Sequence, residues 1–161
     1  MSMPPLLPGH RLARFYILDF GLFDVGPGLR TIGIPGFLLE TDAGARILFD
    51  TGFPPDYVTG PEATAARDGL HRFGAFTRFG AENTAAGQLA LLGLTPADIS
   101  HVILSHGHID HVGSLPLFDH ATILLTETER ADPRPSMLAC RTVIAKGIAR
   151  LQGQRGGHSG R

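Results

Sequence analysis

The segment HGHIDH at residues 106–111 constrains the fold of this chain more than any other feature. It holds three imidazoles and one carboxylate, and it directly follows the apolar run HVIL at residues 101–104. Alternate side chains of an extended segment point to the same face, so His106, His108 and Asp110 are expected on one side of the chain. The pattern therefore predicts a buried strand that leads straight into a loop of polar donors.

The donors of this loop are those that zinc-like metals prefer. Neutral imidazole nitrogens and carboxylate oxygens are common zinc ligands. A turn near Ile109 would bring His111 to the same place as the other donors, and Gly107 and Gly113 leave the backbone room to bend beside an ion. Four such groups without a metal beside an apolar strand would be poorly solvated. We therefore predict a metal site with the ligands His106, His108, Asp110 and His111.

Two metal ions held close together would allow hydrolysis without a serine or cysteine nucleophile. Such a pair ionises a bound water near neutral pH and polarises a carbonyl group. We expect the three imidazoles on one metal and Asp110 on the second. Asp110 is also the candidate catalytic residue, because its carboxylate could orient the attacking water and pass a proton to the leaving group.

The composition is that of one globular domain with a core. The chain has 161 residues, of which 43% are hydrophobic and 18% charged. A net charge of −1 and the lack of a long basic stretch disfavour a nucleic-acid partner. No apolar run approaches the length of a membrane span, and the first residues show no signal-peptide pattern. The single cysteine, Cys140, permits no intrachain disulfide, and we expect a cytoplasmic location.

Apolar runs bounded by turn residues predict the strands of the domain. The runs at residues 37–41 and 46–50 are predicted to form a β-hairpin, because the DAGA segment between them supplies turn residues. Three further runs are rich in β-branched, aromatic or other apolar residues and predict strands at residues 14–20, 101–104 and 121–126.

Capping signals predict a helix and a short turn ahead of the histidine-rich loop. Either Asn83 or Thr84 could cap a helix that ends near Leu92, with Gly93 as its C-terminal stop. Residues 95–98, with the sequence TPAD, match a capping box with proline in the first helical position, so a short turn is expected there.

Residues 51–81 contain Gly, Pro and scattered aromatic residues, and we expect an irregular loop of the kind that is often functional. Phenylalanine recurs at every third position in this segment, at Phe73, Phe76 and Phe79. One interpretation is core packing of a short helix or turn. The other is the wall of a pocket over a site, since large apolar side chains commonly line small-molecule sites.

The C-terminal part changes character after an apolar segment. Residues 137–151 are predicted to be helical, with Cys140 as a small buried residue rather than a nucleophile. Residues 153–161 are rich in Gly and basic residues and are expected to be disordered, so the domain should span residues 13–152. His158 lies in this tail, where it could supply only a distant ligand.

Asp50 ends an apolar strand, which is an unusual place for a charge without partners. It either starts a turn or fixes the histidine-rich loop by hydrogen bonds, as an acid beside a metal site commonly does. The other histidines are isolated in sequence, and we expect them on the surface, in loops or half-buried rather than at the metal: His10, His71, His101 and His120.

Together these segments resemble the metallo-β-lactamase-fold hydrolases. The HGHIDH motif, preceded by a strand and followed by Val-Gly, is similar to the signature of that superfamily, and LFDTG at residues 48–52 resembles its earlier motif. The resemblance covers about residues 14–130. Further segments are similar to the N-acyl homoserine lactonase branch, namely residues 34–41, 47–53, 92–99 and 122–127.

The resemblance implies an αβ/βα sandwich, an α/β fold in which two mixed sheets pack face to face with helices outside. It also implies a dinuclear zinc site at the sheet edges and hydrolysis of an ester, lactone, thioester or amide. By motif match, His106, His108 and His111 would hold the first metal, and Asp110 would hold the second.

The chain departs from this family in length. Family members are usually longer, and their second half supplies another His, a metal-bridging Asp and a final His. This chain ends at residue 161 without matching segments. We therefore expect an incomplete sandwich whose first sheet exposes an apolar face. The chain would then be a fragment, a truncated or frame-shifted reading frame, or a half completed by another chain.

The function that follows is metal-dependent hydrolysis of a small ester or lactone. A thioesterase similar to glyoxalase II is an alternative, because its metal loop has the same pattern. A second alternative is a non-catalytic remnant or half-domain that binds metal weakly and self-associates or pairs with a complementing chain. A nuclease is disfavoured by the lack of a basic surface, and a secreted β-lactamase by the lack of a signal peptide.

Overall fold

The computed structural model describes residues 7–25, 30–69 and 74–131. The strands and helices of this part are, in chain order, β1 (Leu12–Val25), β2 (Thr31–Thr41), β3 (Arg46–Phe49), α1 (Asp56–Thr59), α2 (Pro61–Asp68), β4 (Gly74–Arg78), α3 (Ala85–Leu91), β5 (His101–Ile103), α4 (Ile109–Val112), β6 (Thr122–Leu124) and α5 (Glu127–Ala131). The strands form one sheet in the order β4-β1-β2-β3-β5-β6. Neighbours from β4 to β3 are antiparallel, whereas β3, β5 and β6 run parallel. This mixed sheet with flanking helices confirms the predicted α/β class.

The buried face of the sheet forms the centre of the core. Leu38, Leu48, Val102 and Ile123 lie opposite one another across β2, β3, β5 and β6, and all four are fully buried. They belong to the same core cluster as Leu89 of α3 and Val112 of α4. Because this apolar row continues across the parallel strands, it fixes their register and therefore the relative positions of their C-terminal ends.

The opposite face of the sheet is less covered. Neighbouring positions on this face carry apolar side chains from five strands, namely Ile17, Phe37, Phe49, Ile103 and Leu124. On β1, Ile17 is 72% exposed and Phe15 is 52% exposed. The expectation of an exposed apolar sheet face is confirmed at β1.

The predicted hairpin is confirmed. The Thr41 N–H donates to the Ala45 carbonyl at 2.9 Å, and Gly44 has a φ of 81° in the turn between β2 and β3. The run at residues 14–20 is part of the longer β1, whose register shifts between Asp19 and Leu22. Gly21 lies at this irregularity with a φ of 102°, and a Cβ there would approach the Arg78 carbonyl oxygen to 2.6 Å. Glycine is therefore required at the bulge.

Residues 51–69 and 74–81 are more regular than the sequence predicts, and the expectation of one irregular loop over residues 51–81 is wrong. The segment forms α1, α2 and β4. Phe76 lies in β4 rather than in a helix or turn, and its ring packs 4.6 Å from that of Phe53 and 4.7 Å from that of Phe79. Tyr57 joins the same group at 5.2 Å from Phe53. The core-packing interpretation is confirmed for Phe76 and Phe79, because both pack against the hydrophobic core.

Both capping predictions are confirmed. Thr84 is the N-cap of α3, and its hydroxyl accepts a hydrogen bond from the Gly87 N–H at 3.0 Å. Gly93 follows the C-cap with a left-handed φ of 71°. Thr95 starts a 3-10 turn, and its N–H donates to Asp98 at 2.8 Å.

Replacing Thr84 with alanine should lower the free energy of unfolding by about 1 kcal/mol, because the Gly87 amide at the helix start loses its acceptor. The Thr84 hydroxyl also donates to the Ala81 carbonyl at 2.8 Å. The loss of stability should therefore be at least that of a cap that makes a single hydrogen bond. Chemical denaturation measures the change. Thr59→Ala is the control, since Thr59 is exposed and makes only a 3.5 Å contact; equal losses in the two variants would contradict this role for Thr84.

Several sequence predictions lie outside the described residues. They concern the helix at residues 137–151, Cys140, the tail at residues 153–161, Phe73, His71 and His158. Within the described ranges, the helices are all too short or too polar to cross a bilayer.

Candidate metal centre

The C-terminal ends of three neighbouring parallel strands meet at one edge of the sheet. Asp50 follows β3, the histidine-rich loop follows β5, and α5 follows β6. Strand pairing continues past the strand ends, since the Asp50 N–H donates to the Ile103 carbonyl at 2.9 Å and the Leu104 N–H to the Leu124 carbonyl at 2.8 Å. Polar groups that follow these strands are therefore held next to one another, as is common at this edge of α/β sheets.

The structure brings the predicted donors together in a different way from the extended segment that the sequence suggests. Nε2 of His106 lies 2.9 Å from Nδ1 of His108, as expected for alternate residues. The chain then turns into α4 at Ile109, which confirms the predicted turn. Asp110 and His111 come from the first turn of this helix, and Oδ2 of Asp110 lies 3.2 Å from Nε2 of His111.

Asp50 links β3 to the loop through a buried carboxylate. It is 8% exposed, and its φ of 58° makes it the one non-glycine residue with a positive φ in the described ranges. Its Oδ1 accepts from the Ser105 N–H, and its Oδ2 accepts from the Ser105 hydroxyl and from Nδ1–H of His111, each at 2.8 Å. Of the two interpretations of Asp50, the structure supports the acid that holds the loop by hydrogen bonds.

The imidazoles of His106 and His111 share one arrangement. In each, Nδ1 contacts a polar partner and Nε2 faces another candidate metal ligand. His111 places Nδ1 on Asp50 and Nε2 beside Asp110. His106 places Nδ1 3.0 Å from the Ser105 hydroxyl and Nε2 beside His108. Metal-binding histidines characteristically bond a carboxylate, hydroxyl or carbonyl with the nitrogen that does not bind the metal. In both rings, one nitrogen is held by a polar partner and the other faces a neighbouring candidate ligand.

The pKa values of these residues are shifted because their charged groups are partly buried and close together. Burial alone would lower the pKa of His111, but its hydrogen bonds to Asp110 and Asp50 outweigh burial and raise the pKa to about 9. Burial would raise the pKa of Asp110, yet the hydrogen bond and positive charge of His111 lower it overall. The pKa of His106 is lowered by burial and by the neighbouring His111 and His108. Asp50 and Asp110 therefore both face the positive charge of the His111 ring when no metal is bound.

The donor set fits zinc, although the donors do not form a closed cage. Within residues 7–25, 30–69 and 74–131, no three His, Cys, Asp or Glu side chains are arranged as a finished metal site. Two ligands on one tetrahedral zinc lie about 3.3 Å apart, given zinc–nitrogen bonds of about 2.0–2.1 Å. The separation of 3.2 Å between Asp110 and His111 matches this value, and that of 2.9 Å between His106 and His108 needs only a small ring movement.

In the metal-free protein, we expect the His111 ring to titrate with a pKa of about 9 in an NMR titration. Because this pKa is raised above the ordinary value of about 6.5, the stabilisation from the charged ring is complete below about pH 6.5 and is lost as the pH rises through about 9. Zinc must displace the same proton, so its affinity should increase over this range. A ring that titrates near pH 6.5 would contradict the contacts with Asp50 and Asp110.

The remaining described histidines lie outside this cluster, as the sequence predicts. His101 contacts the Ser100 hydroxyl, His120 donates to the Ile99 carbonyl, and His10 contacts the Thr41 hydroxyl. Sequence reasoning missed two groups at the site, Ser105 and Glu129. Ser105 directly precedes the motif, and Glu129 follows the neighbouring strand, so the parallel order of β5 and β6 is the signal that points to Glu129.

Comparisons with known proteins identify the family of this chain. The family description "Metallo-beta-lactamase superfamily" matches residues 34–137, which is more than half of the chain. A probable metallo-hydrolase of Mycobacterium tuberculosis is 36% identical over 92 residues, which cover 57% of this chain and 28% of the relative. The N-acyl homoserine lactonase AiiB of Agrobacterium fabrum is 36% identical over 107 residues, which cover 63% of this chain and 36% of the relative.

Solved structures agree with the fold. The crystal structure of a quorum-quenching N-acyl homoserine lactone lactonase superposes with a TM-score of 0.57 at 26% identity, over 78% of this chain and 51% of that one. The chain thus spans about half of this solved relative, and between 28% and 36% of the two curated relatives. The match over residues 34–137, together with a histidine-rich loop at the end of a parallel strand, shows that the chain belongs to the metallo-beta-lactamase superfamily.

Proposed function

We propose that this chain carries the metal-binding loop of a hydrolase that cleaves a small ester or lactone with the help of zinc. The observation that carries the proposal is the cluster of His106, His108, Asp110 and His111 at one sheet edge, held from behind by Asp50. The substrate class is supported by relatives such as AiiB, which is named as an N-acyl homoserine lactonase.

Ring packing alone does not divide the donors between two ions, because His106 packs against both His108 and His111, with ring centroids 4.6 and 4.0 Å apart. The division is proposed from the two close contacts between donor atoms. We propose His106 and His108 on one ion, and Asp110 and His111 on the other. This differs from the division predicted from the sequence, in which all three imidazoles share one ion, because Nε2 of His111 lies beside Asp110. When bound, the metal would supply activation of water near neutral pH and polarisation of the substrate carbonyl.

Asp110 is the residue that can move a proton in this reaction. Its pKa is lowered, so its carboxylate is ionised at neutral pH. It can accept a proton from the attacking water and return it to the alcohol oxygen that leaves when the ester or lactone bond breaks. Asp50 and Ser105 keep the neighbouring His111 oriented throughout, because their hydrogen bonds do not involve the substrate.

A non-catalytic product that binds metal weakly is the second candidate. It is favoured by one observation: within the described ranges, no three His, Cys, Asp or Glu side chains are arranged to hold one metal ion. This candidate predicts fewer than two metals per chain and no turnover. A thioesterase is distinguished from a lactonase only by its substrate.

The test is elemental analysis of the purified chain together with hydrolysis of a homoserine lactone, a chromogenic ester and a thioester. Two metals per chain and turnover that a chelator abolishes would support the hydrolase. One metal or none, without turnover, would contradict it. His108→Ala should lower the metal content, whereas His120→Ala should not, because His120 is exposed and bonded to the Ile99 carbonyl.

Location and partners belong to the same proposal. We propose a cytoplasmic protein, since the single cysteine permits no intrachain disulfide. A small-molecule substrate is the partner that the site supports. Self-association, a complementing chain and the origin of the chain as a fragment stay predictions, as do the domain bounds at residues 13–152.

A further inference from the structure

A carboxylate from α5 reaches back to the histidine-rich loop. Oε2 of Glu129 accepts a hydrogen bond from the Gly107 N–H at 2.9 Å, across 22 residues of chain. Gly107 is buried and lies between His106 and His108 in the chain. We propose that Glu129 is a positioning residue that fixes this peptide, and thereby the two imidazoles, for metal binding; this inference rests on the proposed metal site.

The topology explains why Glu129 is available for this contact. The strands β5 and β6 are parallel neighbours, so the loop after β5 and the helix after β6 leave the sheet side by side. Thr126 holds the start of α5, because its hydroxyl accepts from the Glu129 N–H at 3.3 Å and its carbonyl accepts from the Arg130 N–H at 3.1 Å. The backbone of Glu129 is thus fixed on the side of the sheet edge where Gly107 lies.

The contact between Glu129 and Gly107 matters because the backbone of a glycine is conformationally free unless its neighbours fix it. A glycine peptide has access to more backbone conformations than any other, and rotation at Gly107 would swing His106 and His108 relative to each other. The other donor pair is fixed by α4 and by the buried Asp50. Glu129 gives the first pair an equivalent anchor, through a hydrogen bond to a charged acceptor, which is stronger than one between neutral groups.

The experiment compares zinc affinity and Gly107 amide exchange in three variants. Glu129→Ala removes the acceptor and should weaken zinc binding by about 10- to 100-fold, the usual effect of losing a partner that orients a ligand. Glu129→Gln keeps a carbonyl acceptor of the same reach and should restore most of the affinity. Glu127→Ala is the matched control, because Glu127 carries the same charge on the same helix but pairs with Arg130.

The second readout uses metal-free protein and so does not depend on the proposed function. Hydrogen exchange at the Gly107 amide should be faster in Glu129→Ala than in the parent and Glu129→Gln, while the melting temperature of the metal-free protein should fall by only a few degrees, as for the loss of one hydrogen bond. Unchanged exchange and unchanged zinc affinity in Glu129→Ala would overturn the proposal. An equal loss of affinity in Glu127→Ala or in Glu129→Gln would also overturn it, since charge alone would then explain the effect. If the parent chain binds no zinc, the proposed function fails, and amide exchange alone decides whether Glu129 anchors Gly107.

Discussion

Replacing Asp110 with alanine should lower the rate of lactone or ester hydrolysis by about 10²- to 10⁴-fold, the usual contribution of a general acid or base. The variant loses the carboxylate that lies beside Nε2 of His111 at 3.2 Å and, with it, both a metal donor and the proton carrier of the proposed reaction. The fold should survive, because the Asp110 side chain contributes to the loop rather than to the core. We expect a loss of about 1 kcal/mol in the free energy of unfolding of metal-free protein, as for a single hydrogen-bonded group.

The control for this variant is Asp119→Ala, which removes an exposed aspartate outside the cluster. Steady-state kinetics with saturating zinc, together with the metal content of each protein, separate lost binding from lost chemistry. Hydrolysis that continues unchanged in Asp110→Ala would remove this residue from the mechanism. An equal loss in both variants would mean that the effect is not specific to the site.

Replacing Asp50 with alanine should destabilise the metal-free protein by about 3 kcal/mol, because the amide and hydroxyl of Ser105 and the half-buried His111 ring all lose the buried carboxylate that accepts their hydrogen bonds. Two further effects should accompany this loss. The His111 pKa should fall, since one of the two carboxylates that raise it is gone. Zinc affinity should also fall, because the ring is no longer held in place. Chemical denaturation and zinc titration measure the two losses independently.

The backbone conformation of Asp50 allows a comparison of three substitutions, by alanine, glycine and asparagine. Asp50 has a φ of 58°, which alanine adopts at a cost of about 1 kcal/mol relative to glycine. Asp50→Gly should therefore be more stable than Asp50→Ala by about that amount, and Asp50→Asn should exceed both because it tolerates this φ and keeps one acceptor oxygen. If Asp50 merely started a turn, glycine and asparagine would be almost neutral. A change below 0.5 kcal/mol in Asp50→Ala, the range typical of surface substitutions, would contradict the role assigned to the carboxylate.

The parts of the structure that the sequence predicts well depend on local patterns. The turn between β2 and β3, the Thr84 cap and the 3-10 turn at Pro96–Asp98 are each specified by neighbouring residues. The metal loop is equally local, because its donors lie within six residues of chain. Such features follow from spacing and turn chemistry and need no knowledge of the rest of the fold.

The parts that the sequence does not predict depend on contacts between distant segments. β4 forms at residues 74–78 because Phe76 packs against Phe53 and because the strand pairs with β1. Glu129 reaches Gly107 only because β5 and β6 are parallel neighbours. Asp50 is an intermediate case, since its odd place at the end of an apolar strand suggested partners but could not identify Ser105 and His111 as those partners. Contacts between distant segments determine β4, the contact of Glu129 with Gly107 and the partners of Asp50. Patterns in a single sequence carry little information on such contacts.

The most direct test of the metal centre is an anomalous difference map from crystals of the zinc-loaded protein. We expect zinc within about 2.0–2.2 Å of Nε2 of His106 and Nδ1 of His108, and a second peak at the same distance from Asp110 and Nε2 of His111. Zinc bound elsewhere, or a loop whose four donor side chains point away from any bound ion, would contradict the proposed metal centre.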